Sequence, residues 1–131
     1  MQASPLIENP ELDGGAFYWP GGSNGILLLH GFTATSVEIR PLAQAFHQSG
    51  FSVAGPLLPG HGTTPDDLNA QRWESWVAAA DQAYQLLASN CERVFVGGES
   101  LGGLLTLYLA SQHPEIQGVL LFAPALSVKN L

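Results

Sequence analysis

Four short apolar runs, each bounded by glycine, proline or polar residues, divide this chain. Their aliphatic character is nearly continuous, which is typical of strands buried on both faces of a sheet. Segments with helical periodicity lie between them. This order predicts an α/β fold with a mostly parallel sheet, right-handed crossovers and helices on both faces. The runs cover residues 25–31, 51–58, 93–98 and 117–126.

The three intervening segments carry apolar residues at helical spacing. Thr35 and Glu38 have the spacing of a capping box at the start of the first helix, whereas Pro41 predicts an irregular first turn. The other two helices are predicted over residues 73–87 and 100–112. The apolar stripes consist of Ile39, Leu42, Ala43 and Phe46 in the first helix, and of Trp73, Trp76, Val77, Ala80, Ala83, Tyr84 and Leu87 in the second.

Length and charge limit the classes of protein to which the chain can belong. Its 131 residues predict one partial domain over 1–131, with residues 1–14 as an N-terminal extension. Four basic against 11 acidic residues give a net charge of −7, which argues against a nucleic-acid partner because the phosphate backbone requires a basic face. Charged residues make up only 11% of this core-rich chain, so further polypeptide is expected to cover part of it.

Cysteine usage and the N-terminal sequence bear on compartment and cofactors. Cys91 is the only cysteine, so an intramolecular disulfide is excluded, and no Cys/His cluster has metal-ligand spacing. Neither a metal nor a cofactor is therefore predicted. The first 20 residues lack the basic head and apolar centre of a secretory leader, and no apolar run suits a membrane span. We expect a cytoplasmic protein.

The segment Gly98-Glu99-Ser100-Leu101-Gly102 matches the G-x-S-x-G pattern of a nucleophile elbow. A serine at a sharp strand-to-helix turn has a strained backbone, and glycine at 98 and 102 avoids collisions with the neighbouring strand and helix. The following helix directs its free N–H groups towards the same point. The loop alone leaves a second interpretation open, in which Ser100 only caps the helix.

A second loop supports the catalytic interpretation. The buried run at 25–31 ends in His30-Gly31 and is followed by Phe32, whose backbone N–H is expected above Ser100. The N–H groups of Phe32 and Leu101 would then form an oxyanion hole. For the His30 ring we expect packing below the loop and hydrogen bonds to the backbone, rather than proton transfer.

Together these motifs resemble the α/β-hydrolase superfamily, and within it the compact bacterial carboxylesterases and monoacylglycerol lipases. The similarity covers residues 25–125. The resemblance implies that Ser100 is the nucleophile, that Phe32 and Leu101 give the oxyanion N–H groups, and that the helix after Ser100 is the nucleophile helix. The segments that carry it are LLLHGFTATSVEIRPLAQAF, GPLLPGHGTTPDDLN, RWESWV and VFVGGESLGG.

The other titratable residues are assigned structural or solvent-exposed positions. His61 in PGHG resembles the loop histidine of the family, and we expect a structural role for it. Asp66 and Asp67 are expected to cap the second helix. His47 and His113 are expected to be solvated. The tryptophans of the second helix are expected in its core stripe.

The chain departs from the family in its catalytic triad. α/β-Hydrolases place an acid and then a histidine after the nucleophilic serine. After Ser100 this chain offers only His113 and Glu115, in the wrong order and at the wrong end of a helix.

Three explanations remain open. We favour the N-terminal portion of a serine esterase whose acid and histidine lie on a further segment or a second chain. The second is a non-catalytic remnant that serves binding or assembly, and the third is a minimal enzyme using His30 or His61 as its base.

The expected reaction is hydrolysis of a small carboxylic ester of short or medium acyl length through an acyl-serine, with acyl transfer to another acceptor left open. An apolar strand at 117–126 would leave an unpaired sheet edge. We therefore expect an oligomer, or pairing with a missing C-terminal segment.

Overall fold

The computed structural model describes residues 12–127 and forms one five-stranded sheet. The strand order is β1-β3-β2-β4-β5, and all neighbours are parallel except β1 and β3. The α/β prediction is therefore confirmed. The strands are β1 (Phe17–Trp19), β2 (Asn24–Leu29), β3 (Ser52–Gly55), β4 (Arg93–Glu99) and β5 (Val119–Phe122).

Helices cover both faces of the sheet. A 3-10 turn (Ser36–Ile39) leads into α1 (Arg40–Gln48), which packs on one face, whereas α3 (Trp73–Asn90) and α4 (Leu101–Gln112) pack on the other. A short helix, α2 (Pro65–Asn69), precedes α3. Because β2 is central and covered on both sides, residues 26–29 are at most 1% exposed, which explains the unbroken aliphatic run in the sequence.

The largest differences between the predicted and observed strands are at β1, β3 and β5. β1 was not predicted, because three aromatic residues at an antiparallel edge are too short a pattern to detect. β3 and β5 are shorter than the apolar runs that contain them. Pro56 follows β3 directly, and Ala123 with a φ of 45° precedes Pro124 after β5, so neither segment can continue its ladder. The predicted extension at 1–14 falls largely outside the described residues.

The starts of two helices also differ from expectation. The Thr35 hydroxyl accepts from the Val37 N–H at 3.3 Å, but the Glu38 carboxylate accepts from Gly31, so the predicted capping box is wrong. The irregular first turn is confirmed as the 3-10 turn before Pro41. Asp67 lies inside α2, which the Thr64 hydroxyl caps by accepting from the Asp67 N–H at 3.1 Å; the capping role expected for the two aspartates is therefore wrong.

His113 is not solvated as expected, whereas His47 is exposed. The His113 side chain is 16% exposed and its Nε2 lies 2.6 Å from the Asp81 carboxylate on α3. Its ring lies 4.3 Å from that of buried Tyr84, whose hydroxyl donates to the Glu115 carboxylate at 3.0 Å. These contacts join α3 to the end of α4 and to the turn before β5.

We predict that Tyr84 makes folding stability fall between pH 10 and 12. Burial and the Glu115 carboxylate raise the pKa of Tyr84 to about 12, against 10.0 for a free tyrosine. The unfolded chain therefore loses this proton first, and the contribution is full below pH 10 and lost as the pH rises through 12. In urea titrations at pH 9 and 11.5, the free energy of unfolding of Tyr84→Phe should fall less than that of the wild type.

Tyr108→Phe is the matched control, because Tyr108 is 39% exposed on α4. It should keep the pH dependence of the wild type. An equal decline in Tyr84→Phe and the wild type would contradict the assignment.

Candidate active site

Ser100 lies where β4 passes into α4 and has a backbone conformation that side-chain-bearing residues rarely adopt. Its φ is 54° and its ψ is −112°, and such strain costs on the order of 1–3 kcal/mol. Its N–H donates to the Phe122 carbonyl at 2.9 Å, and its carbonyl accepts from the Ala125 N–H at 3.2 Å. The end of β5 and the turn after it therefore hold Ser100 in place.

Gly98 and Gly102 allow α4 to start directly against the sheet. A Cβ atom on Gly98 would overlap the Gly102 carbonyl group, and a Cβ atom on Gly102 would overlap the Leu29 carbonyl group. Only glycine fits at these two close approaches. The packing therefore requires the glycines that the sequence pattern contains.

The Ser100 hydroxyl does not cap α4. Ser100 occupies the N-cap position, but its side chain accepts no hydrogen bond from the helix. Within residues 12–127 the hydroxyl has no hydrogen-bond partner, and the residue is partly exposed. The interpretation of Ser100 as a simple helix cap is wrong. The hydroxyl instead stands at the N-terminus of a 12-residue helix, where the helix dipole favours negative charge.

The loop after β2 passes beside Ser100. A Cβ atom on Gly31 would lie 3.5 Å from the Ser100 Cβ and 3.4 Å from the Glu99 carbonyl oxygen. The Gly31 N–H donates to the Glu38 carboxylate, whose pKa is raised by burial. The sequence did not reveal this contact, because the T-x-x-E spacing predicted that Glu38 would cap the N-terminus of its own helix.

Two backbone N–H groups of these loops are without other partners. Phe32 follows Gly31, and Leu101 is the first residue of α4. Neither N–H donates to any group in the part of the chain that the structure describes. The two donors that the sequence singled out are therefore available to a ligand.

His30 packs beneath the loop as expected and is neutral. Its Nε2 accepts from the Leu58 N–H at 3.0 Å, so its Nδ1 is the donor to the Gly31 carbonyl at 2.9 Å. The ring is fully buried, and this burial lowers its pKa to about 4. Because both nitrogens are engaged, His30 cannot take a proton from Ser100 without losing a hydrogen bond.

His61 is also buried, in the loop after β3. Its Nδ1 lies 3.2 Å from the Pro59 carbonyl, while its Nε2 has no partner within the described residues. Burial lowers its pKa. Trp76 donates to the same Pro59 carbonyl at 2.9 Å and packs against the core, whereas Trp73 is 57% exposed, so the core position expected for Trp73 is wrong.

No histidine of this chain makes a hydrogen bond to the Ser100 hydroxyl in the structure. All four lie between residues 12 and 127, and their hydrogen bonds are to other groups. His113 and Glu115 are at the opposite end of α4, about 18 Å away at 1.5 Å per residue. This arrangement argues against the explanation in which His30 or His61 serves as the base.

The structure also bears on metals and membranes. Over residues 12–127 no group of three or more His, Cys, Asp or Glu side chains is arranged to hold a metal ion. Of the helices in the same range, none has the length and apolar character needed to cross a bilayer.

Comparison with known proteins extends the sequence resemblance. The family model Hydrolase_4, described as serine aminopeptidase, S33, matches residues 23–131. A thermostable monoacylglycerol lipase from Bacillus sp. (strain H-257) is 46% identical over 103 residues, which cover 79% of this chain and 41% of that protein. A carboxylesterase from Bacillus subtilis (strain 168) is 31% identical over 115 residues, covering 87% and 46%. The chain thus spans less than half the length of these relatives.

Solved structures agree with this assignment. A structure from work on LipS and LipT, two metagenome-derived lipolytic enzymes, matches 98% of this chain and 50% of its own with a TM-score of 0.88 and 35% identity. A Paleococcus ferrophilus monoacylglycerol lipase matches 86% of this chain and 43% of its own with a TM-score of 0.72 and 28% identity. This chain, with its strained serine turn, therefore belongs to the Hydrolase_4 (serine aminopeptidase, S33) family and has the α/β-hydrolase fold.

Proposed function

We propose that this protein hydrolyses carboxylic esters of short or medium acyl length through an acyl-serine intermediate, with Ser100 as the nucleophile. The observation that carries the proposal is Ser100, a residue with a positive φ beside Gly31 whose hydroxyl has no hydrogen-bond partner among residues 12–127. The named activities of the relatives, a monoacylglycerol lipase and a carboxylesterase, support the same class of substrate.

In the proposed reaction, the Ser100 Oγ attacks the ester carbonyl carbon and its proton passes to a base. The carbonyl oxygen becomes an oxyanion that accepts hydrogen bonds from the N–H groups of Phe32 and Leu101. Collapse of this intermediate breaks the ester C–O bond, and the leaving alcohol takes the proton. Water then attacks the acyl-serine in the same way and releases the carboxylic acid.

The proposed reaction needs a base that takes the proton of the Ser100 hydroxyl, and no residue hydrogen-bonded to Ser100 within residues 12–127 can serve as that base. Because all four histidines are engaged elsewhere or make no hydrogen bond to the hydroxyl, we propose that the histidine and its acid partner lie on a further polypeptide segment. Such a segment can follow in the same reading frame or belong to a second chain.

The free edge of β5 is the proposed attachment point for that segment. β5 is the last strand of the described sheet, and Val119, Leu121 and Phe122 are 37–45% exposed. An apolar edge strand with unpaired backbone groups favours pairing with another strand. The cytoplasmic location expected from the sequence stays a prediction.

A second candidate function is non-catalytic assembly. It is favoured by the fact that no histidine within residues 12–127 is hydrogen-bonded to the Ser100 hydroxyl. Fluorophosphonate probes separate the two candidates, because they label a serine only when it is activated. Labelling of Ser100 in the protein that includes any downstream segment supports the enzyme, and no labelling there supports the assembly protein.

We predict that Ser100→Ala lowers ester hydrolysis by about 10⁴-fold or more, because it removes the nucleophile of the proposed acyl-enzyme. The measurement is kcat on a chromogenic short-chain ester, using the protein with any segment that follows Leu131 in its reading frame. Ser111→Ala is the matched control, since Ser111 is exposed near the other end of α4. Hydrolysis that survives Ser100→Ala unchanged would rule out the proposed function.

We predict that the 131-residue chain alone associates with itself in solution through β5. Light scattering after size exclusion should give a mass above the 13.9 kDa of one chain. Val119→Lys places a charge on the free edge and should shift the chain towards monomer. Leu86→Lys is the control, because Leu86 is 48% exposed on α3 and not on the edge strand. A monodisperse wild-type monomer is the contrary result.

A further inference from the structure

The peptide between Gly31 and Phe32 needs to be held in one orientation if its N–H is to bind an oxyanion. The N–H of Phe32 and the carbonyl of Gly31 belong to the same planar trans peptide and point in opposite directions. The Gly31 carbonyl accepts from His30 Nδ1 at 2.9 Å and from the Ala34 N–H at 3.2 Å. These bonds turn the carbonyl away from the substrate side and therefore turn the Phe32 N–H towards it.

One side chain from another loop packs against His30 and Phe32, the two residues that flank Gly31. The His61 ring lies 4.8 Å from the His30 ring and 5.9 Å from the Phe32 ring, edge to face in both cases. The Trp76 ring also packs here, and its centroid lies 5.9 Å from that of His61 and 5.8 Å from that of Phe32. Phe32 is still 50% exposed, so the His61 and Trp76 rings are the aromatic contacts that restrict the movement of its side chain.

The loop that carries His61 has a fixed shape of its own. Gly60 and Gly62, on either side of His61, have φ values of 78° and 71°, a region that favours glycine. The His61 N–H donates to the Leu58 carbonyl at 3.1 Å, and its Nδ1 lies 3.2 Å from the Pro59 carbonyl. His61 is only 3% exposed, so the ring is a rigid support and not a surface group.

We infer that His61 is a positioning residue of the proposed reaction, whose ring holds His30 and Phe32 so that the Phe32 N–H is aligned with the oxyanion. This inference rests on the proposed function and adds a role for the loop after β3. The ring acts by packing, and it exchanges no proton with Ser100. Loss of the ring leaves the nucleophile intact but misaligns one donor in the transition state.

The test measures kcat per active site, counted by fluorophosphonate labelling, in the protein with any segment that follows Leu131. Removal of one oxyanion donor costs about 10²–10³-fold in kcat, and a misaligned donor costs less. His61→Ala should therefore lower kcat per labelled site by about 10- to 100-fold, with KM within about two-fold of the wild type. The affinity for a boronic acid that mimics the tetrahedral intermediate should fall in the same proportion.

Two further variants separate positioning from a loss of folded protein. His61→Phe keeps an aromatic ring and should retain kcat per labelled site within a few-fold. His47 is exposed on α1, and its ring contacts Trp19 and the Pro20 carbonyl. His47→Ala should therefore leave kcat unchanged. If the His61 variants do not fold, Trp76→Ala removes the other ring beside Phe32 and should lower kcat in the same direction.

The outcomes distinguish this inference from the proposed function. Suppose that hydrolysis depends on Ser100 but that kcat per labelled site in His61→Ala, or in the substitute Trp76→Ala, stays within two-fold of the wild type. This result overturns the positioning role alone. An equal loss in His61→Ala and His61→Phe also overturns it, because the ring contact would then not be what aligns the donor. A wild-type protein without Ser100-dependent hydrolysis overturns the proposed function and this inference together.

Discussion

The close approach of α4 to the ends of β2 and β4 is the constraint on which the site depends. Gly98, Gly102 and the Leu29 carbonyl meet at distances that exclude any side chain. Because the helix begins so close to the sheet, the chain has one residue in which to turn, and Ser100 accommodates the turn with a φ of 54°. Hydrogen bonds from the end of β5 offset part of this strain. A strained serine at the start of a helix is thus a consequence of sheet–helix packing.

The second loop is organised by a different kind of interaction, a set of hydrogen bonds through a buried imidazole. His30 joins the end of β2 to the loop after β3, because it accepts from Leu58 and donates to Gly31. Neither bond involves a charged group, and burial keeps the ring neutral. The two loops therefore meet at a fixed separation, with Gly31 beside Ser100, before any substrate binds.

The sequence predicted the parts of the structure that local patterns determine. The four parallel strands largely coincide with the apolar runs of the sequence, and the serine turn lies between two glycines four residues apart. Contacts between distant residues were not predictable in this way. Glu38 binds the Gly31 N–H seven residues earlier instead of its own helix, and His113 meets Asp81 across 32 positions. In both cases a tertiary partner replaced the local or solvent partner that the spacing had suggested.

The neutral His30 imidazole also affects how the loop after β2 responds to acid. A protonated His30 would direct an N–H at the Leu58 N–H, so the folded loop requires the neutral ring, in accord with its pKa of about 4. The unfolded chain takes up this proton near the ordinary pKa of 6.5, so the contribution to stability is full above pH 6.5 and falls as the pH drops through 4. A catalytic histidine with an ordinary pKa of about 6.5 titrates earlier than the folded loop. A loss of the proposed hydrolysis at a pH well above 4 therefore reports on a group other than His30, because this ring is still neutral there.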